Sequence, residues 1–154
     1  MPGTSFTSVR WISTGSPGAG DITIFDNGSQ AKRAYSRVIE IVPPVGTNGY
    51  SRTSGSAFGP SSPTWTYQGT PTSSFFAKQI SSAQRVTSGN TVIADGPSGK
   101  FFEVTSAGAT SWSLQLTASG TGSVETFRVE RIESTDSRLS GKTLTAGSTV
   151  VISQ

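Results

Sequence analysis

Residues 111–117 read Ser-Trp-Ser-Leu-Gln-Leu-Thr. Every second side chain, Trp112, Leu114 and Leu116, is large and apolar, and the side chains between them are small or polar. A period of two is the mark of a strand with one face on a core, because successive side chains on an extended chain point to opposite faces. This pattern assigns Trp112, Leu114 and Leu116 to the interior and Ser113, Gln115 and Thr117 to the surface.

The same signal extends in both directions. Residues 100–105 place Phe102 and Val104 on one face, and residues 91–94 form a short apolar run. Asp95-Gly96-Pro97-Ser98-Gly99 and Ala107-Gly108-Ala109 are turn sequences between them. Downstream, residues 119–122 turn the chain again. Residues 124–132 read as a further strand, with Phe127 and Val129 inward, Arg128 and Glu130 outward, and a bulge or strand end near Arg131 where Ile132 breaks the parity. Residues 149–153 read as a closing strand. Upstream, residues 6–13 carry Val9 and Trp11 at alternate positions, and residues 21–25 read as a strand ended by an Asp26-Asn27-Gly28 turn. Residues 35–42 are apolar on both parities, which predicts a strand covered on both faces; Pro43-Pro44 then ends it. Only residues 29–34 and 77–86 have room for a short helical turn.

Composition agrees. Ser and Thr make up about a third of the 154 residues, there are 18 Gly, and 32% of residues are hydrophobic. Hydroxyl side chains compete with helical backbone bonds and Gly weakens helices, so this mixture suits short strands and tight turns. The expected fold is all-β: a single domain over residues 1–154, a β-sandwich or barrel of jelly-roll-like kind, with an N-terminal segment over residues 1–13 and a long irregular arm. The arm spans residues 46–74. It is rich in Gly, Ser, Thr and Pro, yet Tyr50, Phe58, Trp65 and Tyr67 punctuate it. A plain linker lacks such aromatics, so the arm is expected to pack them on its own subunit or on a neighbour.

The chemistry left open is narrow. With no His and no Cys, the chain lacks the usual general base, the usual nucleophile pairs, thiolate chemistry and the commonest zinc ligands. Ser140-Gly141-Lys142-Thr143 ends like a phosphate-binding loop, but Asp136 stands where that pattern needs Gly. Gly99-Lys100 is followed by Phe101 instead of a hydroxyl residue, and the Gly-rich residues 15–20 lack the dinucleotide spacing. Asp21, Asp26, Asn27 and Asp95 are oxygen donors of the calcium-binding type but fit turns better. Carboxylate pairs are the remaining catalytic option, and Glu130 lies between Arg128 and Arg131 as in a solvated charge ladder. Asn27-Gly28-Ser29 has the form of a glycosylation acceptor and reads better as a turn. The net charge of +3 is spread thinly, without the basic stripe of a nucleic-acid binder. Residues 1–5 carry neither a charged nor an apolar leader segment, and no apolar run approaches the length of a membrane span, so folding in a cytosol is expected. The expectation is therefore no enzyme, no cofactor, no metal, no nucleic acid and no membrane.

Sparse charge, missing Cys and His, abundant Ser, Thr and Gly, the segment over residues 1–9, the aromatic-dotted arm over 46–74 and the strands over 100–132 together give an overall style. In that style the chain resembles the capsid decoration (cement) proteins of tailed bacteriophages. The resemblance implies a virion protein, assembled in the host cytoplasm, whose small β-rich subunits form trimers that bridge neighbouring capsid proteins and resist internal pressure. Its partners would be the major capsid protein and itself. The anchors implied are Phe6, Val9 and Trp11 near the N-terminus and Tyr50, Phe58, Trp65 and Tyr67 in the arm. Two alternatives stand beside it: a phage tail or fibre component that binds host glycans on Trp65 and Tyr67, and a polysaccharide-acting hydrolase.

Overall fold

A computed structural model describes residues 5–118, 124–143, 145 and 147. The expected closing strand over 149–153 and the turn over 119–122 lie outside the described residues. The chain is nearly all-β, built from two four-stranded antiparallel sheets arranged as a sandwich. The first contains β1 (Ser5–Trp11), β2 (Ile22–Gly28), β3 (Arg37–Ile41) and, beyond the small hairpin of β4 (Val45–Gly46) and β5 (Gly49–Tyr50), β6 (Trp65–Gln68). The second contains β7 (Ser82–Arg85), β8 (Thr91–Asp95), β9 (Lys100–Val104) and β10 (Thr110–Gln115). Spatial neighbours in each sheet follow sequence order, with the β4–β5 hairpin inserted between β3 and β6. Single-turn 3₁₀ segments at Thr72–Ser74 and Ser137–Leu139 are the helical elements among the described residues. Residues 29–34 form a turn closed by a Ser29–Arg33 bridge, and residues 82–85, inside the expected helical stretch, are strand β7.

The core lies between the sheets. Phe25 and Val38 of the first sheet meet Ala83, Ile93, Phe102 and Val104 of the second. Phe75, at the end of the first 3₁₀ turn, plugs the centre. Its ring stands edge-on to Phe25 and to Phe102, each at 5.7 Å between centroids, and is tilted against Tyr67 at 5.8 Å. Edge-to-face contacts of this kind add to what burial alone contributes.

Three local readings are corrected. Asp26-Asn27-Gly28 is the end of β2 and not a turn, and both polar side chains are fully buried. Asp26 is paired with Arg33 and with Arg37, whose Nε lies 2.8 Å away. Asn27 donates to the carbonyls of Ala77 (2.7 Å) and Ile80 (2.9 Å), tying β2 to the approach of β7. Buried polar groups are tolerated only with such partners, and these partners hold an Asp-Asn pair extended. Gly28 has φ +81°, and a Cβ there would lie 2.3 Å from the Tyr35 carbonyl, so the sharp exit after the strand needs glycine.

Second, Trp112 and Leu114 do not face the core; they are 40% and 51% exposed. The register explains this: Ser113 pairs with Phe102, whereas Trp112 and Leu114 pair with Glu103 and Phe101 on the opposite face. Leu116 follows the strand and is half-buried. Third, residues 124–132 do not join a sheet. They run over the outer face of the second sheet and are pinned by side chains: the Val129 amide donates to Ser82 Oγ, the Arg131 amide to Gln84 Oε1, and Gln84 Nε2 to the Arg131 carbonyl. Val129 is half-buried, but Phe127, expected inside, is 79% exposed.

Candidate interaction surface

The alternation that sends Phe25, Val38 and Tyr67 into the core sends their chain neighbours to the outer face of the first sheet. Register then lines up two apolar rows there: Trp11–Ile22–Ile41, and Val9–Ile24–Ile39 with Thr66 beside it. Phe6 joins them, because bulges on either side of it bring it opposite Asp26. Ile39 is buried beneath its neighbours, while Phe6, Val9 and Trp11 on the edge strand are 47%, 61% and 56% exposed. The apolar surface continues past the sheet end into a groove lined by Ile22, Ile41, Pro43, Pro44, Tyr50 and Phe58. The Arg52 guanidinium sits 5.3 Å above the Phe58 ring at its far side.

Of the anchors named from sequence, Phe6, Val9, Trp11, Tyr50 and Phe58 thus fall along one continuous apolar surface. Trp65 and Tyr67 do not. Both lie on β6, which is part of the first sheet and not of an arm, and both are half-buried against the core. Trp65 Nε1 donates to the Ser106 carbonyl (2.8 Å), and the buried Arg85 guanidinium, paired with Glu40, stacks on its ring at 4.6 Å. Tyr67 is buried enough that its hydroxyl pKa is pushed up. Both rings are therefore partly occupied by contacts within the subunit. Ile22, Ile24 and Ile41, half-buried members of this surface, are not singled out by the sequence pattern as interface residues. The signal was present in the two-sided apolar pattern around residues 35–42, which reads equally as a strand covered on both sides.

The outer face of the second sheet differs. Glu103 is buried there and bonded by Asn90 Nδ2 (2.7 Å), Trp112 Nε1 (2.8 Å) and Arg131 Nη1 (2.6 Å). Burial pushes its carboxyl up, but those donors outweigh it and leave the pKa below the ordinary value. Beside it, a polar cleft is lined by Gln84, Arg85, Thr87, Glu130, Glu133 and Asp136, among others. Its carboxylates are matched by arginines: Arg10 lies 3.7 Å from Glu130, Arg131 3.6 Å from Glu133, and Arg138 2.7 Å from Asp136. Hydrogen bonds from Arg138 hold the Asp136 carboxyl down to about 2, so it stays ionised and has no proton to give at neutral pH.

No metal-binding cluster of acidic side chains occurs among the described residues. No described helix is long and apolar enough to cross a membrane. No family model matches the chain, and no curated protein or solved structure is significantly similar to it.

Proposed function

We propose that the chain is a virion structural protein, a capsid decoration subunit that lays the outer face of its first sheet on neighbouring capsid proteins and holds them together. The observation that carries this reading is the apolar surface running from Phe6, Val9 and Trp11 through Ile22 and Ile41 to Tyr50 and Phe58. Scattered exposed hydrophobic residues need no explanation, but a contiguous apolar surface with aromatic members marks a place where another protein sits. The rest of the molecule suits a static role. A stiff two-sheet body presents the surface, and the charged groups of the polar cleft are consumed in ion pairs. A single subunit need not bind tightly, because many copies on one shell act together.

The test is co-sedimentation with empty capsids assembled from the major capsid protein of the same virus. Wild-type protein is expected to pellet with the shells, and Trp11→Asp to lower occupancy at least about tenfold, the effect of losing one well-buried aromatic anchor. Wild-type protein that stays in the supernatant at every shell concentration overturns the reading.

A further inference from the structure

We infer that β10 pairs edge to edge with β10 of a second copy, joining the two second sheets into one eight-stranded sheet across a two-fold axis. Among the described residues β10 is the terminal strand of its sheet, and all six of its residues are exposed. An edge strand offers unpaired backbone donors and acceptors, and proteins normally guard such edges with charges, proline, bulges or a covering segment. The other sheet ends show these devices. β1 carries Arg10 and is bulged on both sides of Phe6. β7 carries the ion-paired Arg85, and its Ser82 and Gln84 side chains hold residues 129 and 131 against it. β6 is only four residues long. β10 reads Thr-Ser-Trp-Ser-Leu-Gln, with no charge and no proline, and its one irregularity lies at its start, between Thr110 and Trp112.

The occupant is specified by the strand's own sequence, which is self-complementary about Ser113. In an antiparallel pairing of two copies centred there, Ser113 meets Ser113, Trp112 meets Leu114 in both directions, and Ser111 meets Gln115. The apolar pairs fall on one face and the hydroxyl and amide pairs on the other, and no like charges are opposed. Aromatic–aliphatic and polar cross-strand pairs of this kind are the stabilising unit of a sheet, and the two-fold contact uses the Trp112–Leu114 and Ser111–Gln115 pairs twice each. Trp112 and Leu114, half-exposed in the single chain, would each gain a partner. The pairing gives a dimer where the resemblance to decoration proteins implies a trimer, and it stands whether or not the first sheet meets a shell.

The chain has no cysteine, so single-cysteine variants report the contact cleanly. Sedimentation across a concentration series is expected to show a monomer–dimer equilibrium. Leu114→Asp, at an exposed site, should keep the far-UV circular dichroism and melting temperature of the wild type while weakening the dimer about tenfold or more. Under mild oxidation Ser113→Cys should form a disulfide-linked dimer, since directly opposed residues of antiparallel strands lie within disulfide reach. Ser111→Cys alone should not cross-link, whereas Ser111→Cys combined with Gln115→Cys should. A protein that is monomeric throughout, a dimer indifferent to Leu114→Asp, or cross-linking at 111 alone but not at 113 overturns the inference.

Discussion

The two sheets share one core and differ on their outer faces. The outer face of the second sheet is clothed by the chain itself: residues 124–133 cross it, backbone amides of 129 and 131 bond to Ser82 and Gln84, and Arg131 reaches Glu103. The outer face of the first sheet carries isoleucines, a valine and a tryptophan, and residues 43–59 flank Ile22 and Ile41 at its end. The cover of the second sheet is pinned by polar groups to a buried carboxylate and shields part of that face, while Trp112 and Leu114 at its β10 edge stay partly exposed. A contiguous apolar face at the surface is the one the proposed partner would cover. The proposed function rests on that contrast.

The contrast is sharpest if the two sheets melt as one unit, so that the difference lies outside the core. Phe75 touches Phe25, Tyr67 and Phe102 and is 5% exposed. Phe75→Ala should cost about 3–5 kcal/mol, the range for removing a buried aromatic ring. Tryptophan fluorescence should then report one lowered transition, since Trp65 lies beside this core and Trp112 lies on the other side of the second sheet. Two separated transitions would break the comparison, because the sheets would then be independent units.

The next largest effect tests the cover. Gly96 accepts the Thr126 amide on its carbonyl at 3.0 Å, and a Cβ on Gly96 would lie 2.3 Å from the Thr126 carbonyl and 2.6 Å from Ile80 Cγ1. Gly96→Ala should therefore push residues 124–126 off the sheet at a cost of about 1–3 kcal/mol, as other overpacked contacts do. Hydrogen exchange should quicken in residues 124–133 more than in β2 and β3. Uniform quickening would mean that the segment is not a separate cover.

A smaller, pH-dependent effect should come from Glu103. Its folded-state pKa is depressed, so its contribution to stability is complete above the ordinary glutamate value of 4.5 and is lost as pH falls through the folded value below that. Melting temperatures measured over an acid series should drop in this window for the wild type, and the drop should be shallower for Glu103→Gln. Equal slopes would remove Glu103 as the pin of the cover.

Much of this architecture is legible in the residues, and the misreadings share a cause. The β8–β9–β10 meander follows from period-two runs separated by Gly-rich turns, all local signals. Alternation along β10 gives two parities but not which of them faces inward. That sign is set by Ser113 falling opposite Phe102, a fact about a partner strand. Residues 124–132 alternate like a strand yet are held by side chains of β7, so the pattern was right about an extended chain and silent about its pairing. Asp26-Asn27-Gly28 has turn chemistry, but Arg33, Arg37 and the carbonyls of Ala77 and Ile80 are tertiary partners that override local preference. The aromatic anchors divide for the same reason: Phe6, Val9, Trp11, Tyr50 and Phe58 reach the outer surface, while pairing with β3 draws Trp65 and Tyr67 into the sheet.

The smallest expected effect on stability is the most informative about the open face. Trp11 is 56% exposed and ends the row through Ile22 to Ile41. In the isolated chain its removal costs little burial, so Trp11→Asp should change stability by no more than about 0.5 kcal/mol, as surface substitutions generally do. A buried tryptophan would cost several times more. The same change places a carboxylate within the apolar surface that a partner would cover. If an apolar partner sits there, the variant must lose binding without losing its fold, and the two measurements must separate. Were Trp11→Asp instead to destabilise the free protein by several kcal/mol, Trp11 would already be covered by the chain's own residues. The first sheet would then be clothed like the second, and the asymmetry between the two faces would disappear.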